Sequence, residues 1–166
     1  DVTLFVYFRC TQHCIMKILL LLFTVFLLSA TISRVATGSW NVVLAGNIGM
    51  CAMLFLTAFG HFYYPKGMEM MMPGFIPFKK ELVFITGIIE LLAGIGLLFP
   101  QYRYLTGILL IIFFIMILPA NIHAAVNHID FQKATTDGSG VSYLWFRLPM
   151  QVLLIAWVWF FSIRRW

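Results

Sequence analysis

Charge is what this sequence has least of. Its 166 residues include 11 Lys or Arg and only 6 Asp or Glu. Charged residues make up 10% of the chain, against roughly 25% in a soluble domain. With 62% hydrophobic residues it cannot present a water-facing surface all round, so it reads as a membrane protein whose first partner is the lipid bilayer. The net charge of +5 is not a nucleic-acid signal. The basic residues stand singly or in pairs at the ends of apolar runs, where they anchor helices, and no basic stripe interleaves with aromatics.

Thiol and metal chemistry are equally thin. Of three cysteines, Cys10 and Cys14 are spaced C-x3-C and Cys51 lies alone in an apolar run. A thiol relay needs two sulfurs within reach, so Cys51 reads as a small buried hydrophobe. No haem motif, nucleotide loop or H-E-x-x-H pair occurs. Met68, Met70, Met71 and Met72 offer thioethers of the kind Cu(I) accepts. Without a neighbouring Cys or a regular Met-x-x-Met array they read as an interfacial segment, and no metal site is expected.

What the chain does have is apolar runs of about 20 residues, long enough to cross a ~30 Å hydrocarbon core as helices. Residues 81–127 hold two of them, joined by a short link containing Pro100 and Arg103, which predicts an antiparallel helical hairpin. Residues 40–64 and 143–163 supply two more. Trp40, Tyr63 and Tyr64 fit aromatic belts, and a helix stops before Pro65. Residues 1–15 precede the first methionine and read as a non-native or disordered leader. The run 15–33 then fits either a retained hydrophobic helix, which we favour, or a signal peptide, because Lys17 gives it a basic start and Ser29-Ala30-Thr31 supplies small residues. The expected organisation is 1–15 leader, 16–39 hydrophobic helix or signal peptide, and 40–166 membrane domain. The connection 65–80, with three prolines and two glycines, predicts a short turn in the interface. The connection 128–142 reads as a solvated loop.

Polar residues inside the runs are few, so each is informative. Glu90 lies at mid-depth, where an ionisable group costs at least about 2.5–3.5 kcal/mol and needs a partner, a proton or a purpose. Gly87 and Gly94 flank it at i−3 and i+4, which sets it on a face that packs against another helix. Asn47, Cys51, Leu54, Ala58 and His61 form one stripe on the preceding helix. Pro119 removes a backbone donor near the end of the fourth run, and Asn121 is placed to satisfy a freed carbonyl. Up-and-down connectivity puts both long connections at one end, called the cap end below. His61, Glu90, Asn121, His123, Arg147 and Gln151 then all lie at that end or at the midplane. They are the candidates for one polar ligand pocket, with Arg147 reaching toward Glu90 or snorkelling to headgroups. His61 and His128 also fit plain interfacial helix tips. Lysines 17, 66, 79, 80 and 133 at the cap end, against arginines 34, 103, 164 and 165 at the other, lean toward a cytoplasmic cap end.

In order, GHFYYPKGMEMMMPGFIP, GIIELLAGIGLLFP, LPANIHAA and RLPMQVLLIAW resemble the DoxX-like membrane proteins over residues 46–159. The resemblance implies an all-α four-helix membrane bundle, here with one N-terminal helix added, in a bacterial cytoplasmic membrane. It matches His61, Phe62, Met72, Pro73, Pro77, Glu90, Pro119, Asn121, Arg147, Pro149 and Gln151 to family positions. For activity it implies a redox-associated subunit, with a quinone as the lipid-soluble ligand and a membrane oxidoreductase as partner. The absence of a cysteine pair argues against a thiol relay. A non-enzymatic component that assembles with or stabilises another membrane protein is the other expectation, and no catalytic residue is assigned.

Overall fold

The computed structural model describes the backbone of residues 2–164 and the side chains of residues 16–164, so the expected leader at 1–15 lies outside the described side chains. The described chain is helical, with one isolated bridge between Asp130 and Thr135. Its helices are α1 Val2–Thr37, α2 Val42–Tyr63, α3 Pro65–Met71, α4 Lys79–Leu98, α5 Pro100–Met116, α6 Leu118–Val126 and α7 Ser142–Val158. A π-helical turn, Trp159–Arg164, continues α7. Five segments are long and apolar enough to cross a membrane: Met16–Thr37, Val42–Tyr63, Lys79–Leu98, Pro100–Val126 and Ser142–Arg164. The chain is therefore an all-α, multi-pass membrane bundle. In lipid no water satisfies a bare peptide group, which is why the spans are helices throughout.

Buried residues of α4, α5 and α7 recur at steps of four and three. On α4 they are Val83, Gly87, Glu90, Gly94 and Leu97. On α5 they are Arg103, Gly107, Leu110 and Phe114, and the spacing resumes on α6 with Asn121 and Ala124. On α7 they include Gln151, Leu154 and Val158. This is the 3.5-residue repeat that lets antiparallel helices mesh along a shallow crossing. The tightest seam joins α2 to α4. A Cβ at Gly87 would meet the Cβ of His61 at 2.9 Å, and one at Gly94 would meet the Phe55 ring at 3.2 Å. Small residues here replace the missing hydrophobic drive with close packing. Helix α1 packs on α2 and α7, burying Leu22 fully and setting Phe23 and Phe26 edge-on to Trp157.

Pro119 interrupts the fourth span, as expected from its missing N–H, and the chain breaks at Ile117 into α5 and α6. The connection 65–80 differs from a simple turn. Pro65 takes the first position of α3, where no N–H is needed, and α3 runs two turns before Pro73. The second connection is not an ordinary solvated loop. Phe131 sets its ring edge-on to Tyr64 and its main chain against Gly67, where any Cβ would collide with the Phe131 carbonyl. Asp130 Oδ1 organises the turn by accepting the Gln132 N–H at 2.9 Å. Helix α3 and residues 128–141 thus form a folded cap over one end of the bundle.

Candidate intramembrane site

Glu90 sits about 16 Å along α4 from Lys79, taking 1.5 Å per residue. It is 5% exposed. Its Oε1 lies 3.4 Å from His61 Nε2. His61 Nδ1 lies 3.1 Å from the Val83 carbonyl oxygen and 3.1 Å from Thr86 Oγ1. The Thr86 hydroxyl in turn donates back to the Leu82 or Val83 carbonyl, each at 2.9 Å. Glu90 Oε2 is buried and has no hydrogen-bond partner among the described residues. The Phe62 and Phe55 rings lie over Gly87 and Gly94, one turn to either side of Glu90, and both phenylalanines remain partly exposed.

His61 is therefore not a wet helix tip. It is partly buried and is Glu90's partner. Arg147 does not fill that role. Its guanidinium lies 5.9 Å from the Tyr143 ring centroid, and no ion pair joins it to Glu90 among the described residues. The other candidates form separate contacts. Asn121 Nδ2 donates to Gln151 Oε1 at 3.5 Å, and Gln151 Nε2 donates to the Phe114 carbonyl. The residue that satisfies the end of α5 beside the proline break is thus Gln151 from α7, not Asn121. His123 Nδ1 lies 3.0 Å from the Met71 carbonyl, and Lys79 Nζ donates to the Met72 carbonyl at 2.9 Å. Together they cap the C-terminal end of α3. The six candidates resolve into a His61–Glu90 pair between α2 and α4, an Asn121–Gln151 contact between α6 and α7, and His123 and Arg147 at the cap.

Sequence reasoning missed Thr86 and the Phe55 ring, and reached Phe62 only through the family resemblance. Thr86 stands four residues before Glu90, on the same helix face, and Phe55 and Phe62 stand seven apart, one heptad, along α2. It also missed a second polar cluster at the opposite end. There Arg103 is buried and donates from Nε to the Leu97 carbonyl at 3.0 Å, so it caps α4 instead of standing in an open link. Among the described residues no group of three or more His, Cys, Asp or Glu is placed to hold a metal ion.

The family model for a domain of unknown function, DUF8561, matches residues 50–162, which include both His61 and Glu90. The chain belongs to that family. Neither a curated protein nor a solved structure matches it. The matched region takes in most of α2, the cap and α4 to α7, and leaves α1 outside.

Proposed function

We propose that this is a DoxX-like multi-pass protein of a bacterial cytoplasmic membrane whose His61–Glu90 pair holds a proton and receives a lipid-soluble ligand. A quinone is the ligand class we favour, with the protein acting as a redox-associated subunit beside a membrane oxidoreductase. The observation that carries this reading is the unpartnered Glu90 Oε2 inside the membrane-spanning part of α4. A buried polar atom without a partner costs about 1–3 kcal/mol, and in lipid no bulk water relieves it. The flanking glycines and partly exposed phenyl rings support a route of entry from the bilayer.

The test is to capture the protein in native-membrane nanodiscs and identify the extracted small molecules by mass spectrometry, comparing the parent with Glu90→Leu. A quinone-class molecule present in the parent and lost from the variant is expected. Identical extracts containing phospholipid alone would overturn the ligand reading.

One observation favours the second reading, a membrane component that assembles with a partner. Phe75 and Phe78, 84% and 75% exposed, project from the turn after α3, and Trp145, 78% exposed, lies at the same end. Phe78 holds a left-handed backbone at φ 53°, a conformation a bulky residue rarely adopts unless its surroundings require it. Replacing Phe75 and Phe78 by Ser would release a copurifying protein under this reading and leave the small-molecule content unchanged.

A further inference from the structure

From the hydrogen-bond geometry around Glu90 we infer that the molecule completing this site is a hydrogen-bond donor, a membrane-soluble hydroxyl compound, and not a carbonyl acceptor. The inference rests on the ligand reading above and narrows it: of a quinone couple, the reduced quinol, which carries hydroxyls, is the form that meets Glu90.

The proton count starts at His61. Its Nδ1 faces the Val83 carbonyl oxygen at 3.1 Å, and a carbonyl oxygen can only accept. Thr86 Oγ1, also 3.1 Å from Nδ1, can accept from it while its own proton goes to the Leu82 or Val83 carbonyl. The Val83 carbonyl thus assigns a proton to Nδ1, and Thr86 is compatible with it. Nε2 then meets Glu90 Oε1 at 3.4 Å with one proton between them. That proton rests on Oε1, giving a neutral pair, or on Nε2, giving an imidazolium and a carboxylate. Without it two lone pairs would face each other. In both forms the pair is neutral overall and Oε2 carries no proton. Oε2 is therefore an acceptor lacking a donor. A hydroxyl group supplies that donor. A quinone carbonyl or an ether would set a third lone pair against it.

The turns on either side of Glu90 are covered by apolar rings. The Phe62 ring lies 3.3 Å from the position of a Cβ on Gly87, and the Phe55 ring 3.2 Å from one on Gly94. A flat hydroxylated ring entering from lipid between these two phenyl groups would bring its O–H to Oε2 and keep the rest of its surface in apolar contact. A phenol-type hydroxyl fits better than a polyol, whose remaining hydroxyls would find no acceptor there.

Three probes of matched shape separate the alternatives in nanodisc-embedded protein: pentamethylphenol, its methyl ether pentamethylanisole, and duroquinone. Binding is read by equilibrium dialysis, with thermal unfolding recorded in parallel. The phenol is expected to bind at least about tenfold more tightly than the ether and the quinone, the worth of one buried hydrogen bond. Glu90→Gln should retain that preference, because its amide N–H can donate to His61 Nε2 and leave its carbonyl oxygen where Oε2 stood. Glu90→Leu should abolish it. If Glu90→Leu does not fold, Glu90→Gln still decides through its retained preference. Duroquinone binding more tightly than the phenol would overturn the donor assignment while leaving a ligand site at Glu90. Equal binding of all three to the parent and to Glu90→Gln would overturn the donor assignment and the ligand reading together.

Discussion

The α2 helix carries a buried polar cluster at each end, and the two are built differently. At the end away from the cap, Asn47, 1% exposed, donates from Nδ2 to the Val43 carbonyl at 2.8 Å and to the Phe161 carbonyl at 3.2 Å. Its Oδ1 accepts the Ser162 hydroxyl at 2.6 Å. Trp157 Nε1 donates to the Gly46 carbonyl at 3.0 Å beside it. Phe161 and Ser162 both fall in the π-helical turn, a local widening that sets backbone and side chain together against α2. Every polar atom of the Asn47 side chain is used. At the other end Glu90 is buried almost as deeply and leaves Oε2 unused. A closed network inside a membrane fastens helices. An open one keeps a free energy of hydrogen bonding in reserve for whatever arrives.

The largest effect is expected from breaking the closed cluster. Asn47→Leu keeps the branched shape while stranding the Ser162 hydroxyl and weakening the hold on the Phe161 carbonyl. An unsatisfied buried group costs about 1–3 kcal/mol, while single interhelical hydrogen bonds in membranes average about 0.6 kcal/mol. With the bonds to Ser162 and Phe161 both broken, destabilisation of about 2 kcal/mol is expected on those figures, measured by reversible unfolding in mixed micelles. Binding of the phenol probe at the far end should be unchanged. An unfolding free energy equal to that of the parent would mean that the Asn47 cluster does not fasten the bundle.

A smaller and more local effect is expected at the cap. In Gly67→Ala the added methyl collides with the main chain of Phe131, which cannot swing aside as a side chain would. The collision should lift residues 128–141 from α3 at a cost of about 1–2 kcal/mol, in the range of overpacked sites. Hydrogen exchange should show lost protection in 128–141, with the α2–α4 seam unaffected. Faster exchange around His61 as well would show that the cap also seals the open cluster.

The sequence made the spans, the placing of both long connections at one end and the orientation of Glu90 legible, because each follows from local pattern. Run length sets the spans, up-and-down connectivity sets the ends, and Gly87 and Gly94 turn Glu90 toward a neighbour. Pairing was less legible, because it depends on relative depth. The stop before Pro65 was legible, but the stagger of α2 against α4, which sets His61 beside Glu90, was not. Nothing in a linear pattern gives that offset. The closed cluster was hidden for another reason: a π-turn has no sequence signature, and Ser162 reads as an ordinary hydroxyl on an apolar helix. Phe131 likewise gave no periodic signal in a short polar stretch, yet it is the residue that docks the loop onto α3.

The smallest effect is expected at Arg147, and it sharpens the comparison most for its size. A buried ion pair that loses one partner leaves the other charged in a poor solvent, at a cost of about 3–5 kcal/mol. If Arg147 were the counter-charge of Glu90, Arg147→Gln would be among the most damaging single changes in the protein. The geometry gives Glu90 a different partner. Arg147 lies in the second turn of α7, over the Tyr143 ring, a contact worth about 0.5–1 kcal/mol at an exposed position. Helix α7 packs against α5, α6, α1 and α2, not along α4. Arg147→Gln should therefore cost no more than about 1 kcal/mol, leave the phenol-over-ether preference intact, and remain mild from low to neutral pH, since no buried carboxylate depends on it. Reversible unfolding across that pH range, with His61→Leu as the comparison, checks this. Losses beyond about 3 kcal/mol in Arg147→Gln, with a mild His61→Leu, would reassign the partner of Glu90 from His61 to Arg147.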